Sequence, residues 1–340
     1  MARKNHTEFH KCLMEQDSYP SALRRIKFEE TLRSYFYRTG DNLYKIRKTS
    51  PLYPSIAIKE RFSLEALRLG RHWAPDVVQE ILPVVRHPDG RFGLGGAGET
   101  VDFSLRMTQL SDTYWLYKLV PRKKLPNTAW GRLARYLAEK HAAAPAGDKA
   151  TEMGRLEHFR DLFEEVFYQA KKYLGITLSQ PMLDTIILPM NRFLEDGRKL
   201  FLRRQKKHRI VECHGAFTPE HIYIKGGDIY AVSPLDSQAK YRMLDSANDV
   251  ATLVNGLLLL DAVEESELFL KRYVTASKDR DLMKILPAYQ TMRALQMGMV
   301  CSERAVERPE GDEVRETSIH NGQRYYNLAV QTSRRIPREL

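Results

Sequence analysis

The chain has three cysteines in 340 residues, Cys12, Cys213 and Cys301. An odd number, widely spaced, builds no disulfide framework, so a reducing cytoplasm is the expected compartment. Long apolar runs are also missing. The greasiest stretch, residues 257–260, is flanked by Asn255, Gly256 and Asp261 and reads as a buried helix, with no membrane span expected. The first six residues carry charge without an apolar core, so secretion is not expected. Acidic residues are the scarcer charge, 43 against 54 basic, which leaves a net charge of +11. That surplus implies attraction to anions, and the expected partner is an acidic protein or an anionic small molecule. The densest basic clusters, residues 122–124 and 203–208, have no aromatics among the cations. A nucleic-acid-binding stripe is therefore not expected.

What the chain does have is enough apolar material for a real core. A hydrophobic content of 43% over this length allows one large or two medium domains. Residues 18–110 alternate in the manner of strands around one helix. Residues 25–28, 34–37 and 43–48 read as strands, and Thr39-Gly40-Asp41-Asn42 reads as the turn between the second and third. Residues 59–72 show helical spacing through Phe62, Leu64, Leu67 and Leu69, and Pro75 closes that segment. Two more strands follow at 80–85 and 100–107, joined by a glycine-rich hairpin at 90–98.

Beyond residue 110 the pattern turns helical, with helices expected at 130–141, 152–174, 180–204, 247–262, 264–276 and 280–306. Ser179 and Ser246 stand where helix caps belong, and Pro181 sits in a first turn. Strand-like pieces at 211–213, 222–224 and 229–232 interrupt the helices. The last 34 residues are expected as a charged tail, irregular and mobile as far as Gly322. The layout is thus an extension at 1–17, a sheet-plus-helix lobe at 18–110, a mainly helical lobe at 111–306 and a tail at 307–340. The fold class is α+β, with a small antiparallel sheet and a larger helical part.

The most informative stretch is His214-Gly215-Ala216-Phe217-Thr218-Pro219-Glu220-His221. It follows, in order, Glu30-Thr31-Leu32-Arg33-Ser34-Tyr35, Thr39-Gly40-Asp41, Tyr44-Lys45-Ile46-Arg47-Lys48 and Leu67-Arg68-Leu69-Gly70-Arg71. Leu244-Asp245 and Asp249-Val250-Ala251 come after it. Together these resemble the aminoglycoside phosphotransferase family of the protein-kinase-like fold, in the bacterial branch where such a domain often precedes a P-loop kinase domain. The resemblance spans residues 18–300 and implies a bilobal fold. It also implies roles. Lys45 would reach the α- and β-phosphates of ATP, Glu65 would hold Lys45, and Arg33 would lend charge from the glycine-free loop 32–34.

The same resemblance marks three departures. The family loop reads His-Gly-Asp and later Asn, where the Asp orients the substrate hydroxyl and the Asn holds magnesium. Ala216 stands for that Asp and His221 for that Asn. Ser233 stands where a second metal-gripping Asp belongs, followed by Pro234-Leu235-Asp236. Alanine accepts no proton, and a neutral hydroxyl is a poor ligand for a hard cation. Loss of a positioned base alone costs about 10²–10⁴ in rate. The implied function is a pseudokinase, a binding or regulatory module with residual ATP binding and no Mg²⁺ site. The alternative is an active but divergent ATP-dependent small-molecule kinase that uses Glu220, Asp236 or Asp245 as a substitute carboxylate.

Three other patterns are weaker. Gly93 to Thr100 mimics P-loop spacing, but a Glu replaces the lysine and a strand replaces the helix that should follow. His6, His10 and Cys12 have zinc-like spacing without a fourth ligand. Cys213 and His214 are adjacent on a strand, so their side chains point to opposite faces and form no nucleophile pair.

Overall fold

The computed structural model describes residues 9–20, 25–31, 33–48, 50, 53–144 and 152–339; His6, Leu32, Pro51 and Pro145 lie outside them. The chain divides into two units. Unit 1 comprises residues 1–112 and 230–237, and unit 2 comprises 113–229 and 238–340. The 230–237 segment, expected with the helical part, thus groups with the sheet.

Unit 1 is a six-stranded sheet, β1 (Lys27–Glu30), β2 (Ser34–Arg38), β3 (Asn42–Arg47), β4 (Val78–Arg86), β5 (Phe92–Leu94) and β6 (Glu99–Thr108), in the order β1-β2-β3-β6-β4-β5. The paired strands run antiparallel. Gly40, at φ 92°, makes the turn between β2 and β3, where the Thr39 amide donates to the Asn42 carbonyl at 2.8 Å. Alternation then sorts the side chains of β3. Tyr44 and Ile46 are buried in an aromatic core with Tyr37, Val84, Phe92, Phe9 and Leu13. Lys45 and Arg47 fall on the opposite face. The helix α1 (Ile56–Trp73) packs against β4 and β6. Ser55 caps it by accepting from the Ile58 amide at 3.4 Å. Gly70 permits the close approach, because a Cβ there would lie 2.8 Å from Val78 Cγ2. Trp73 closes the helix, fully buried.

Unit 2 contains α2 (Leu116–Leu119), α3 (Asn127–Ala142), α4 (Leu156–Ala170), α5 (Gln180–Asp196), α6 (Arg198–Lys206), α7 (Ala247–Leu259), α8 (Val263–Ser277), α9 (Leu282–Val306) and α10 (Glu313–Ser333). The short strands β7 (Ile210–Glu212) and β10 (Met243–Asp245) pair antiparallel, and β8 (Ile222–Lys225) pairs with β9 (Asp228–Ala231). Trp115 bridges to Tyr223 of β8, their rings 5.4 Å apart. Trp130 is buried on α3.

Three expectations change. The helix expected over 180–204 breaks at Gly197, between α5 and α6. Neither Ser179 nor Ser246 makes a cap hydrogen bond; at α7 it is Asp245 Oδ1 that accepts from the Ala247 amide, at 2.8 Å. The irregular tail is instead a 21-residue helix, α10. Asp312 caps it through the amides of Val314 and Arg315. It lies along α9 with Tyr325, Tyr326, Leu328 and Ala329 buried. Burial of apolar side chains of this size contributes on the order of 2 kcal/mol each, which is why a charged segment holds its shape.

Candidate functional site

In unit 2 the loop from His214 to His221 is shaped from beneath by α7 and α9. Asp249 on α7 is fully buried and accepts from the backbone amides of His214 (2.6 Å) and Gly215 (2.8 Å) and from His141 Nε2 (3.1 Å). Burial pushes its carboxyl up, but the hydrogen bond from His141 and the nearby histidine charge and amide donors outweigh that, and the pKa lies below the ordinary 3.8. Arg293 on α9 donates from Nη2 to the Gly215 carbonyl at 2.6 Å and from Nε to Thr252 Oγ1 at 2.9 Å. Burial lowers its pKa, with Asp249 as the leading opposing charge. Gly215 takes φ 75°. Gly256 of α7 lets Pro219 lie against the helix, since a Cβ at 256 would come within 2.4 Å of Pro219 Cδ.

The loop then closes on itself. The Ala216 carbonyl accepts from His221 Nδ1 and from the Thr218 amide, each at 2.8 Å. A carbonyl cannot donate, so His221 carries its proton on Nδ1. None of these bonds uses a side chain at 216. Glu220 is exposed at the tip, with Cys301 and Tyr325 in reach of its charge. Asp245 is fully engaged elsewhere: with Asp279 it holds the buried Arg204, with Arg204 Nη2 to Asp245 Oδ1 and to Asp279 Oδ2 both at 2.7 Å. Two of the three substitute carboxylates are therefore a solvent-facing group and a structural ion partner.

His141, Cys213 and Asp249 bring ligand-type atoms within 4.8 Å of one another. Their contacts do not suit a metal. Both Asp249 oxygens accept hydrogen bonds. Cys213 Sγ faces the carbonyls of Leu244 and Asp245, and burial pushes its thiol well up, so it stays protonated. The same geometry turns Cys213 away from nucleophilic chemistry. At the other end of the chain, His10 Nδ1 meets Tyr37 Oη at 3.3 Å.

In unit 1, Lys45 and Arg47 line a cavity with Ser63, Ala66, Phe103, Leu105 and Asp236. Its volume is about 10 Å³, room for one water. Arg47 forms an ion pair with Asp236, and Arg47 Nη1 donates to Tyr53 Oη at 3.1 Å. Lys45 feels first its burial, which lowers its pKa, then the opposing charge of Asp236. Ser233 sits in the left-handed region at φ 56° on the same short segment as Asp236. The expected pair between Lys45 and Glu65 does not form. Glu65 instead takes Arg68 at 2.8 Å on the surface of α1, and the residues that α1 turns to the cavity are Ser63 and Ala66. Arg33 is exposed between β1 and β2, where its carbonyl accepts from the Lys48 amide at 3.0 Å. Within unit 1 the donors suit a magnesium ion poorly: Ser233 offers a neutral hydroxyl, and the Asp236 carboxylate is held by Arg47.

Comparisons with known proteins follow this geometry. No protein-family model and no curated protein sequence matches the chain. Solved structures do. A choline/ethanolamine kinase family protein from Mesorhizobium loti superposes with TM-score 0.52 at 15% identity, over 92% of each chain. An amicoumacin kinase gives 0.54 at 11% identity, over 100% of this chain and 98% of that one. An aminoglycoside phosphotransferase from Ralstonia eutropha gives 0.52 at 11%, over 96% and 98%. The chain has the aminoglycoside phosphotransferase-like kinase fold. At such identities the likeness fixes the kinase fold and leaves the chemistry to the residues.

Sequence reasoning did not single out Arg47, His141 or Arg293. Arg47 had a signal, because it follows Lys45 by two on a strand and must share its face. Arg293 is a cation amid the small and apolar residues of α9, a common mark of a buried functional or structural group. His141 had no local signal; its partner is 108 residues away.

Proposed function

We propose that this protein is a pseudokinase, a kinase-fold binding or regulatory module that holds a nucleotide or related anion beside Lys45 and does not transfer a phosphoryl group. The observation that carries this reading is the loop at 214–221. Its backbone is held at His214, Gly215 and Ala216 by Asp249, Arg293 and His221, while alanine stands at 216, where the resemblance places the catalytic Asp. A scaffold kept without its proton acceptor or its metal carboxylates supports binding more than turnover. ATP is the first ligand to test, since the amicoumacin kinase was solved with AMP-PNP and Ca²⁺. The basic surplus supports an acidic protein partner or an anionic small molecule, and three scattered cysteines support a cytoplasmic setting.

The second reading is a divergent ATP-dependent small-molecule kinase. What favours it is Asp236, a carboxylate in the same cavity as Lys45. A thermal-shift titration with ATP, with and without Mg²⁺ or Mn²⁺, followed by an ATP-turnover assay, separates the two. A ligand that binds only the folded state must raise the melting temperature. The pseudokinase reading expects a shift that does not depend on metal, and no turnover. Metal-dependent turnover would select the second reading.

A further inference from the structure

We propose that Lys45 and Arg47 form an oxyanion site for a metal-free polyphosphate chain, and that Asp236 is the internal anion that fills it when no ligand is bound. The proposal rests on the pseudokinase reading of the same region and adds the ligand class and the gate.

Both cations leave β3 on one face, two residues apart, and both line the same small cavity. The carboxylate that lines the cavity with them is Asp236; Asp102, which also feels the charge of Arg47, is paired with Lys59 at 2.5 Å. Asp236 pairs with Arg47, while Lys45 Nζ makes no hydrogen bond or ion pair among the described residues and lies 5.9 Å from the centre of the Phe36 ring. The pocket therefore carries one positive charge more than it neutralises, partly out of water. Such a group gains from a second negative charge. The downward shift of Lys45 by burial has the same origin.

In kinases a magnesium ion neutralises the phosphates beside the lysine. No carboxylate here is available to hold one, and Arg47 stands two residues along with a fork of donors that matches phosphate oxygens. Arginine thus supplies the charge that a metal would bring. Asp236 is suited to exchange because of where it sits. It belongs to the 230–237 segment, three residues past Ser233 in its left-handed conformation, and not to a helix or to the six-stranded sheet. A cavity of about 10 Å³ holds a water and not a phosphate, so entry of the ligand requires Asp236 to leave.

The test is isothermal titration of the full chain with sodium tripolyphosphate in EDTA. Wild-type protein binds weakly, and Asp236→Asn binds about tenfold tighter or more, because a competing charge is removed. Arg47→Gln binds about tenfold weaker. An Asp236→Asn chain that binds no tighter, or an Arg47→Gln chain that binds as well as wild type, overturns the proposal in favour of a purely structural ion pair. If the variants do not fold, wild-type protein decides. Mg²⁺ should then lower the apparent affinity by sequestering tripolyphosphate, and a gain on adding Mg²⁺ overturns the proposal. These outcomes are separate from ATP turnover, which alone bears on the pseudokinase reading.

Discussion

Unit 1 and unit 2 differ in what their polar residues do. Unit 1 keeps charge: Lys45, Arg47 and Asp236 sit in one cavity, with the cations in excess. Unit 2 keeps shape: the loop at 214–221 is fixed by buried hydrogen bonds to its backbone at His214 and Gly215. The contrast teaches that a loop's geometry and its chemistry are held by different residues. Asp249 and Arg293 meet backbone groups that the interior would otherwise leave without partners. Ala216, half-exposed and bonded only through its backbone, is free to change. Unit 2 side chains should therefore govern stability, and unit 1 side chains should govern ligand affinity.

The largest effect that would test this division is Arg204→Met. It leaves Asp245 and Asp279 facing each other in the interior, and urea denaturation should show a loss of about 3–5 kcal/mol. A loss under about 1 kcal/mol would mean that the frame of unit 2 rests elsewhere. Next is Gly256→Ala, whose new Cβ meets the Pro219 ring. It should cost about 1–3 kcal/mol by overpacking, read in the same experiment.

A pH profile sharpens the role of Asp249. Its folded pKa lies below its unfolded value of about 3.9, so its stabilising contribution is complete above that value and drains away as pH falls through the folded pKa. The urea midpoint should hold above about pH 5 and fall as the pH drops below about 4, and Asp249→Asn should flatten that fall. Lys45→Ala should change stability by under about 1 kcal/mol while abolishing the ATP-induced thermal shift; an unchanged shift would take Lys45 out of the site. The smallest effect belongs to Ala216→Asp. It should fold within about 0.5 kcal/mol of wild type and still show no ATP turnover, because the magnesium ligands are also missing. Turnover in that variant would make the loss at 216 the whole difference from an enzyme.

The sheet of unit 1 was legible because its strands obey a period of two and its turn carries Gly40. The helices were legible where apolar spacing is regular, as in α1. α10 was not, because its buried stripe runs through Ser318, Gly322, Thr332 and Ser333, which look polar or small in sequence. The cap at α7 was misread for a related reason: Ser246 and Asp245 are both capping types, and only the structure distinguishes which oxygen meets the Ala247 amide. Motif order singled out Lys45, Ala216, His221 and Ser233; the structure places Lys45 on a cavity of unit 1 and Ala216 and His221 in a loop of unit 2 that is held through its backbone. That Asp236 shares the cavity with Lys45 did not follow from motif order, because it lies 191 residues along the chain, in a segment that pattern alone assigns to the helical part.

The tryptophans have an optical consequence. Of the three, Trp73 belongs to unit 1, while Trp115 and Trp130 belong to unit 2. A chain with Trp115→Phe and Trp130→Phe emits from unit 1 alone, and one with Trp73→Phe emits from unit 2 alone. Trp115, against the Tyr223 ring two residues beyond His221, is placed to change its emission when the loop moves. The two units can thus be watched separately in one unlabelled protein, by colour and quenching.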